Sequence, residues 1–320
     1  MRTASFFAVA VLVSGVSPEA LAQKYPIKPM RLISAFAPGG GTDILARAIA
    51  TPVSESFGQA VVVDNRPGAG GATGSELVAR ATPDGYTIIM VASTYTATSA
   101  YNKPSFDPVN GIQPIVLIGT TGLVMTVHPS VPVRSVRELI DYAKANPGKL
   151  NYASVGTGSV PHLAFEHFKL ETGTNLVHIP YKGGGPALIA VVSGEAQLIA
   201  ISMVPILPHL KAGRLRALAI SNPTRSNLLP DVPTISETVP GFEVIHWYGI
   251  WGPKGMPKPV VARWNQEVAK ALRTEEMKSR SRAEGLESAG GPPEEFGKII
   301  QRDVEKWRKV VKEAKIKRES

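Results

Sequence analysis

The sequence contains no cysteine among its 320 residues. This absence excludes disulfide bonds, thiol nucleophiles, zinc–thiolate centres and iron–sulfur clusters. Two short motifs that would indicate an enzyme are also missing: the G-x-S-x-G turn of serine hydrolases and the G-x-x-x-x-G-K-[ST] loop that binds nucleotide phosphates. Thiol chemistry is therefore ruled out, and neither an activated serine nor a phosphate loop is indicated.

No apolar run reaches the roughly 20 residues that a membrane-spanning helix needs. The run at residues 6–16, interrupted only by Ser14 and Gly15, follows Arg2 and precedes an A-x-A sequence at residues 20–22. This order is typical of a cleaved secretory signal. We predict that residues 1–22 are a signal peptide removed between Ala22 and Gln23, leaving a soluble exported chain. A buried first helix is the alternative.

Positive residues outnumber negative ones, 35 Lys and Arg against 26 Asp and Glu, which gives a formal net charge of +9. A basic protein can bind nucleic acid or an anionic surface. Here the positive residues are spread along the chain and are densest in the C-terminal segment, where acids are interleaved, as on a solvated helix face. We therefore expect no nucleic-acid partner and a weak preference for anionic solutes.

Short apolar runs alternate with helical patterns along the chain. Several runs are apolar on both faces, as buried parallel strands are, and the alternation is typical of α/β domains with mainly parallel sheets. Ser135 and Glu138 form a capping box, which predicts a helix ending near residues 146–148. Strands are predicted at residues 31–36, 60–63, 87–91, 114–118, 150–153, 176–179, 197–201 and 217–220.

The chain length suits two domains of about 150 residues each. Residues 122–128 and 242–251 form long extended segments, and each is a candidate crossover between two lobes. We predict a discontinuous first domain of residues 23–122 plus 247–320 and a second domain of residues 123–246, with a ligand cleft between them.

A glycine-rich loop follows the first predicted strand and precedes a helix. Glycine lets a ligand approach backbone amides, and a helix N-terminus favours an anion. The candidate ligand-binding residues are Gly39, Gly40, Gly41, Thr42 and Asp43. Asp43 would repel an anion, so it is expected to cap the helix, to orient water or to meet a ligand amine.

The second half of the chain repeats this arrangement after the strand at residues 150–153. Two such loops facing each other across a cleft would hold a carboxylate from both sides; plain strand-to-helix turns are the alternative. Neither loop contains Arg or Lys, so backbone N–H groups, hydroxyls and water would bind the charge. The candidate residues here are Ser154, Gly156, Thr157, Gly158, Ser159 and His162.

A third glycine-rich loop, at residues 68–74, approximates a dinucleotide-binding fingerprint. The acid that this fingerprint requires should end the next strand, whereas Asp84 lies in a Pro-Asp-Gly turn before it. His162, Glu166 and His167 suggest metal ligands, but their spacing matches neither H-E-x-x-H nor H-x-x-E-H and favours a polar helix face. We therefore expect no cofactor and no metal ion.

Several motifs occur in the order found in one protein family. They are A-P-G-G-G-T-D at 37–43, V-V-V-D-N-R-P-G-A-G-G at 61–71, P-D-G-Y-T at 83–87, Y-A-S at 152–154, H-I-P-Y-K-G at 178–183, L-P-H-L-K-A-G-R-L-R-A-L-A at 207–219, L-P-D-V-P-T at 229–234 and P-E-E-F at 293–296. The sequence resembles the Bug receptors, the solute-binding proteins of tripartite tricarboxylate transporters. The resemblance covers residues 25–317.

The resemblance implies a periplasmic, two-lobed α/β fold of the type II, Venus-flytrap kind, with a carboxylate held between the two loops, partly through water. It also adds Ser93, Thr94 and Tyr181, with Lys182, to the residues of the cleft. Val160, Pro161 and Ile201 depart from the polar residues that the family often has there, which predicts a more apolar far end of the pocket.

We therefore predict a periplasmic receptor that is not an enzyme. It is expected to capture a small carboxylate (an organic acid, an acidic amino acid or an aromatic acid) as a monomer, and to deliver it transiently to integral-membrane transporter subunits. Two alternatives stay open: an exported nucleotide-dependent oxidoreductase that uses the loop at residues 68–74, and a solute sensor that feeds a two-component system.

Overall fold

One long strand, β4 (Ile112–Val127), runs through both halves of the protein in the computed structural model, which describes residues 25–102, 104–313 and 316. From Ile112 to Gly122 it pairs with β9 (Ile245–Pro253), and from Leu123 to Val127 it pairs with β7 (Leu198–Ser202). The predicted strand at 114–118 and the predicted extended segment at 122–128 are thus one strand, because the residues between them continue the pairing with β9.

The remaining elements alternate as the sequence pattern predicts. The other strands are β1 (Met30–Ser34), β2 (Val61–Asn65), β3 (Thr87–Ala92), β5 (Asn151–Ser154), β6 (Val177–Pro180), β8 (Arg216–Ile220) and β10 (Glu287–Gly290). The helices are α1 (Gly41–Phe57), α2 (Ala72–Ala79), α3 (Thr94–Asn102), α4 (Val136–Ala145), α5 (Val160–Thr172), α6 (Gly184–Val192), α7 (Met203–Lys211), α8 (Lys258–Leu272), α9 (Glu275–Glu284) and α10 (Pro293–Glu313).

The strand order is β2-β1-β3-β9-β4-β7-β5-β6, with β8 and β10 also paired to β4. The β1–β2, β1–β3, β5–β6 and β5–β7 pairs are parallel, as expected for strand–helix–strand units. Every antiparallel pair among the described strands involves β4 or β9. The two-lobe α/β architecture is confirmed, and its sheets are mixed because β4 and β9 run antiparallel to the strands beside them. The residue boundaries predicted for the domains stay a prediction.

Each lobe has its own apolar core. Trp251 and Trp264 are buried in the first, and Tyr152 and Phe165 in the second. The last helix, α10, contributes to both, because Phe296 and Val304 pack in the first core and Trp307 in the second. This helix therefore packs against both lobes.

Ser135 caps α4 as predicted: its hydroxyl accepts a hydrogen bond from the backbone N–H of Glu138, and the Glu138 carboxylate accepts one from Arg134 N–H. Helix α3 was not predicted. Its sequence, TYTATSAYN, is rich in β-branched and hydroxyl residues with low helix propensity, and its residues from Thr94 to Tyr101 are all buried. Tertiary packing on every side, which no periodic pattern reports, therefore stabilises this helix.

Within the described ranges, no helix is long and apolar enough to cross a membrane. The predicted signal peptide at residues 1–22 and its cleavage site lie outside the described residues.

Candidate functional site

Five helices begin at one small cavity between the lobes. The cavity encloses about 30 Å³, which at roughly 10–15 Å³ per water is room for two or three waters or one carboxylate group. A helix N-terminus carries unpaired N–H groups and about half a positive charge. At α5 only the helix dipole applies to the lining residue, because Pro161 has no N–H and His162 N–H is bonded to Ser159. The lining residues at these N-termini are Gly41 and Thr42 of α1, Thr94 of α3, Pro161 of α5, Gly184 of α6, and Ser202, the N-cap of α7.

The rest of the lining carries no charged side chain. His246 and Tyr248 of β9 add polar groups, and the Tyr248 hydroxyl forms a 2.6 Å hydrogen bond with the Ser202 hydroxyl across the lobes. A negative charge in this cavity would therefore interact with amides, hydroxyls and helix dipoles. The apolar lining residues are Phe36, Ala92, Leu123, Val155, Pro161 and Ile201.

His246 was not predicted as a site residue, because a lone histidine inside an apolar strand pattern carries no sequence signal. Its Nδ1 lies 2.7 Å from the Ser93 hydroxyl, so the predicted residue Ser93 orients this ring and does not itself line the cavity. Burial lowers the pKa of His246 to about 3. The imidazole is therefore neutral at physiological pH and interacts with a ligand only as a hydrogen-bonding group.

Asp43 holds the first glycine loop in place and does not line the cavity. Its carboxylate accepts hydrogen bonds from Gly39 N–H (3.0 Å), Arg47 Nε (3.0 Å) and Asn65 Nδ2 (2.9 Å). Burial raises its pKa, but the three hydrogen bonds outweigh burial, so the pKa of Asp43 is lowered. The charge that would repel an anion is thus compensated locally, and it fixes the loop that presents Gly40 and Gly41.

The first glycine loop faces a glycine run that the sequence interpretation missed. A Cβ on Gly40 would lie 3.4 Å from Gly184 N, and one on Gly183 would lie 3.0 Å from Ala37 N. A hydrogen bond from Ala37 N–H to Lys182 C=O (3.3 Å) joins the two runs. The K-G-G-G-P sequence at residues 182–186, before an apolar helix, has the same form as the loop at 37–43 and was the available signal.

The second predicted loop lies beside a wider cavity of about 330 Å³, here called the vestibule. Phe36 and Val155 line both the vestibule and the small cavity, so the two spaces adjoin. Gly156 packs against Gly70 in the glycine loop at 68–71, where a Cβ on Gly156 would lie 3.0 Å from Gly70 Cα. The other residues that line the vestibule include Thr157, Tyr181, Lys182, Tyr101 and Asn102.

The remaining candidates of the second loop line neither space. The Ser154 hydroxyl lies 2.6 Å from His178 Nε2, and the His178 ring stacks on His162 with a centroid distance of 4.0 Å. His162 Nδ1 accepts a hydrogen bond from Gly158 N–H. Of the predicted residues, therefore, Gly40, Gly41, Thr42 and Thr94 meet at the small cavity and Gly156, Thr157 and Tyr181 at the vestibule. Gly39, Asp43, Ser93, Ser154, Gly158, Ser159 and His162 lie behind these surfaces.

Replacing Ser159 by alanine is expected to lower the free energy of unfolding by about 1 kcal/mol, with little effect on ligand affinity. Its hydroxyl accepts a hydrogen bond from His162 N–H as the N-cap of α5 and is fully buried. Chemical denaturation and calorimetry measure the two quantities. Ser135→Ala removes a similar cap remote from the cleft and is the control. A loss of affinity at unchanged stability would return the Ser159 hydroxyl to the ligand site.

Among the described residues, no group of three His, Asp or Glu side chains is arranged to hold a metal ion. Glu166, considered above as a metal ligand, instead accepts hydrogen bonds from the Tyr152 hydroxyl and Lys169 Nζ. The site is thus one of amides, hydroxyls and apolar side chains between two lobes.

Sequence comparison identifies the family to which this arrangement belongs. The family described as "Tripartite tricarboxylate transporter family receptor" matches residues 45–316. The chain belongs to this family. The resemblance noted from the short motifs is therefore confirmed over most of the chain.

Solved structures of similar proteins also support the assignment of this chain to the tripartite tricarboxylate transporter receptor family. The periplasmic binding protein BugD is 33% identical with a TM-score of 0.88, covering 92% of this chain and 100% of that one. A protein of R. palustris solved with adipate is 35% identical, with a TM-score of 0.87 and coverage of 91% and 99%. MatC of Rhodopseudomonas palustris, solved with bound malate, is 29% identical, with a TM-score of 0.86 and coverage of 90% and 100%.

Proposed function

We propose that the protein is a periplasmic receptor that captures a small carboxylate between its lobes and delivers it to the membrane subunits of a tripartite tricarboxylate-type transporter. The observation that carries this proposal is the convergence of five helix N-termini on a cavity whose lining has no charged side chain. Such a cavity favours an anion of carboxylate size. The adipate and malate bound by two similar proteins are carboxylates of this kind.

The position of the cavity also supports a receptor that changes shape. Helix α1 belongs to the first lobe, and α6 and α7 belong to the second, so a carboxylate bound by their N-termini contacts both lobes at once. Such a ligand has a higher affinity for the closed arrangement than for an open one, and it therefore drives closure. A membrane partner that recognises the closed shape would receive only loaded receptors.

Nothing in the geometry favours the oxidoreductase alternative. Asp84, the acid considered for its spacing along the chain from the glycine loop, accepts a hydrogen bond from Tyr86 N–H within a turn. It therefore does not end a strand beside the loop at residues 68–71, as a dinucleotide-binding site requires.

A thermal-denaturation screen with organic acids tests the proposed function. We expect at least one acid among adipate, malate, succinate and benzoate to raise the melting temperature, since a ligand at 100 times its Kd stabilises the folded state by about 2.7 kcal/mol. The methyl esters of the same acids are the control and should leave the melting temperature unchanged. Stabilisation by NAD, or by the esters as much as by the acids, would contradict the proposal.

A further inference from the structure

We propose that this site selects carboxylic acids without an amino group and rejects amino acids, with Ile201 as the residue that sets the selection. This inference rests on the proposed function, because it concerns which carboxylates the same cavity accepts. It follows from the N–H groups and apolar side chains that face the cavity and the vestibule, and from the carboxylates that do not.

No carboxylate side chain lines either space among the residues that the structure describes. Lys182, at the vestibule, is the only charged side chain that the described part of the chain contributes to the two linings, and it would repel an ammonium group. Two acids that adjoin lining residues, Asp43 next to Thr42 and Glu195 at Tyr181, already accept hydrogen bonds. Asp43 accepts three hydrogen bonds behind the first glycine loop, and Glu195 accepts one from the Tyr181 hydroxyl.

Backbone carbonyls at the starts of α1, α5 and α6 are also committed. The carbonyl of Gly40 accepts a hydrogen bond from Ile44 N–H, that of Ser159 from Leu163 N–H, and that of Gly183 from Ala187 N–H. Helix starts therefore direct N–H donors towards the cavity while their carbonyls point along the helices. Hydroxyls still offer neutral acceptors, but an ammonium group would face five positive helix ends without an anionic partner.

Ile201 lies at the end of β7, where it forms part of the apolar wall of the cavity and is only 5% exposed. A Cβ placed on Gly184 would lie 2.9 Å from Ile201 Cδ1, so this side chain packs directly against the start of α6. Leu123 and Pro161 continue the wall. An ammonium group on the carbon next to a bound carboxylate would lose its hydration against this wall, which a hydrocarbon chain would not.

Matched pairs of ligands that differ only in the amino group test this selection. Calorimetry would compare succinate with aspartate, adipate with 2-aminoadipate, and butyrate with 2-aminobutyrate. In each pair that binds, we expect the amino acid to bind about 100-fold more weakly or worse. Equal affinity, or tighter binding of the amino acid, would overturn the inference while leaving the proposed function intact. Failure of every acid in all pairs would overturn the proposed function and the inference with it.

Replacement of Ile201 by asparagine tests the residue assigned to the selection. The amide oxygen supplies an acceptor for an ammonium group. The ratio of the dissociation constants of the two ligands in a pair should therefore fall by about tenfold or more. Ile189→Asn, on the exposed face of α6 where Ile189 is 69% exposed, is the matched control and should keep the wild-type ratio. Ile201→Val should also keep it. An unchanged ratio in a folded Ile201→Asn protein would remove Ile201 from the selection, and the wild-type pairs remain informative if that variant does not fold.

Discussion

Replacing Gly41 by alanine is expected to weaken carboxylate binding by at least about 100-fold and to leave the fold close to wild type. A Cβ at this position would overlap the Tyr248 hydroxyl and lie 3.1 Å from Ser202 Oγ. One methyl group would therefore occupy part of a cavity of about 30 Å³ and displace the hydrogen-bonded pair that joins the lobes. Alanine itself is compatible with the first turn of a helix, so the backbone of α1 is not strained.

Calorimetry with the acid found in the screen measures this affinity, and circular dichroism monitors the fold. Gly297→Ala is the matched control, because Gly297 also lies in a helix and its added Cβ would meet only Pro114 Cγ at 3.5 Å. Retention of wild-type affinity in a folded Gly41→Ala protein would place the ligand outside this cavity.

Lowering the pH from about 6.5 to 4.5 is expected to reduce the free energy of unfolding by about 2–5 kcal/mol. Burial is the main reason why the pKa values of His178 and His246 are both lowered to about 3; nearby His162 and Lys169 also lower that of His178. In the unfolded chain each imidazole takes up a proton near pH 6.5. The stability that the folded protein gains while both imidazoles are neutral is therefore fully present above that pH, and it is lost as the pH falls towards 3.

Urea denaturation across this pH range measures how steeply the free energy of unfolding changes with pH. Each histidine contributes at most about 1.4 kcal/mol per pH unit to this slope. The pKa of Asp43 is lowered, so that carboxyl contributes only at more acidic pH. His178→Phe and His246→Phe should each flatten the dependence of the free energy of unfolding on pH. A wild-type slope in both variants would contradict the assignment to these two histidines.

Strand periodicity predicted most of the sheet, because buried strands such as residues 87–91 and 197–201 are apolar on both faces and end at polar or glycine residues. It did not predict α3, whose TYTATSAYN sequence has no apolar stripe, or β10, whose four residues are mostly exposed. Helix α3 is fixed by tertiary packing and β10 by its pairing with β4, and neither leaves a periodic trace in the chain.

In the candidate site, too, local sequence patterns predicted some residues, and only the fold revealed the others. Gly40, Gly41 and Thr42 were predicted because a glycine run before a helix is a local signal. The partner surface was not, since the facing of Gly40 to Gly184 depends on how the two lobes meet. His246 and Tyr248 enter the cavity from β9, where their side chains are the polar positions of an otherwise apolar strand. Only the fold brings these residues to the first loop.

A crystal structure of the protein with the tightest-binding acid of the screen tests the central claim most directly. We predict that a ligand carboxylate lies within hydrogen-bond distance of backbone N–H groups at the starts of α1 and α6, between the Gly41 and Gly184 loops, and near the hydroxyls of Thr94 and Ser202. A carboxylate bound instead by Lys182 in the vestibule, or on the outer surface of either lobe, with the small cavity holding no ligand atom, would contradict the account.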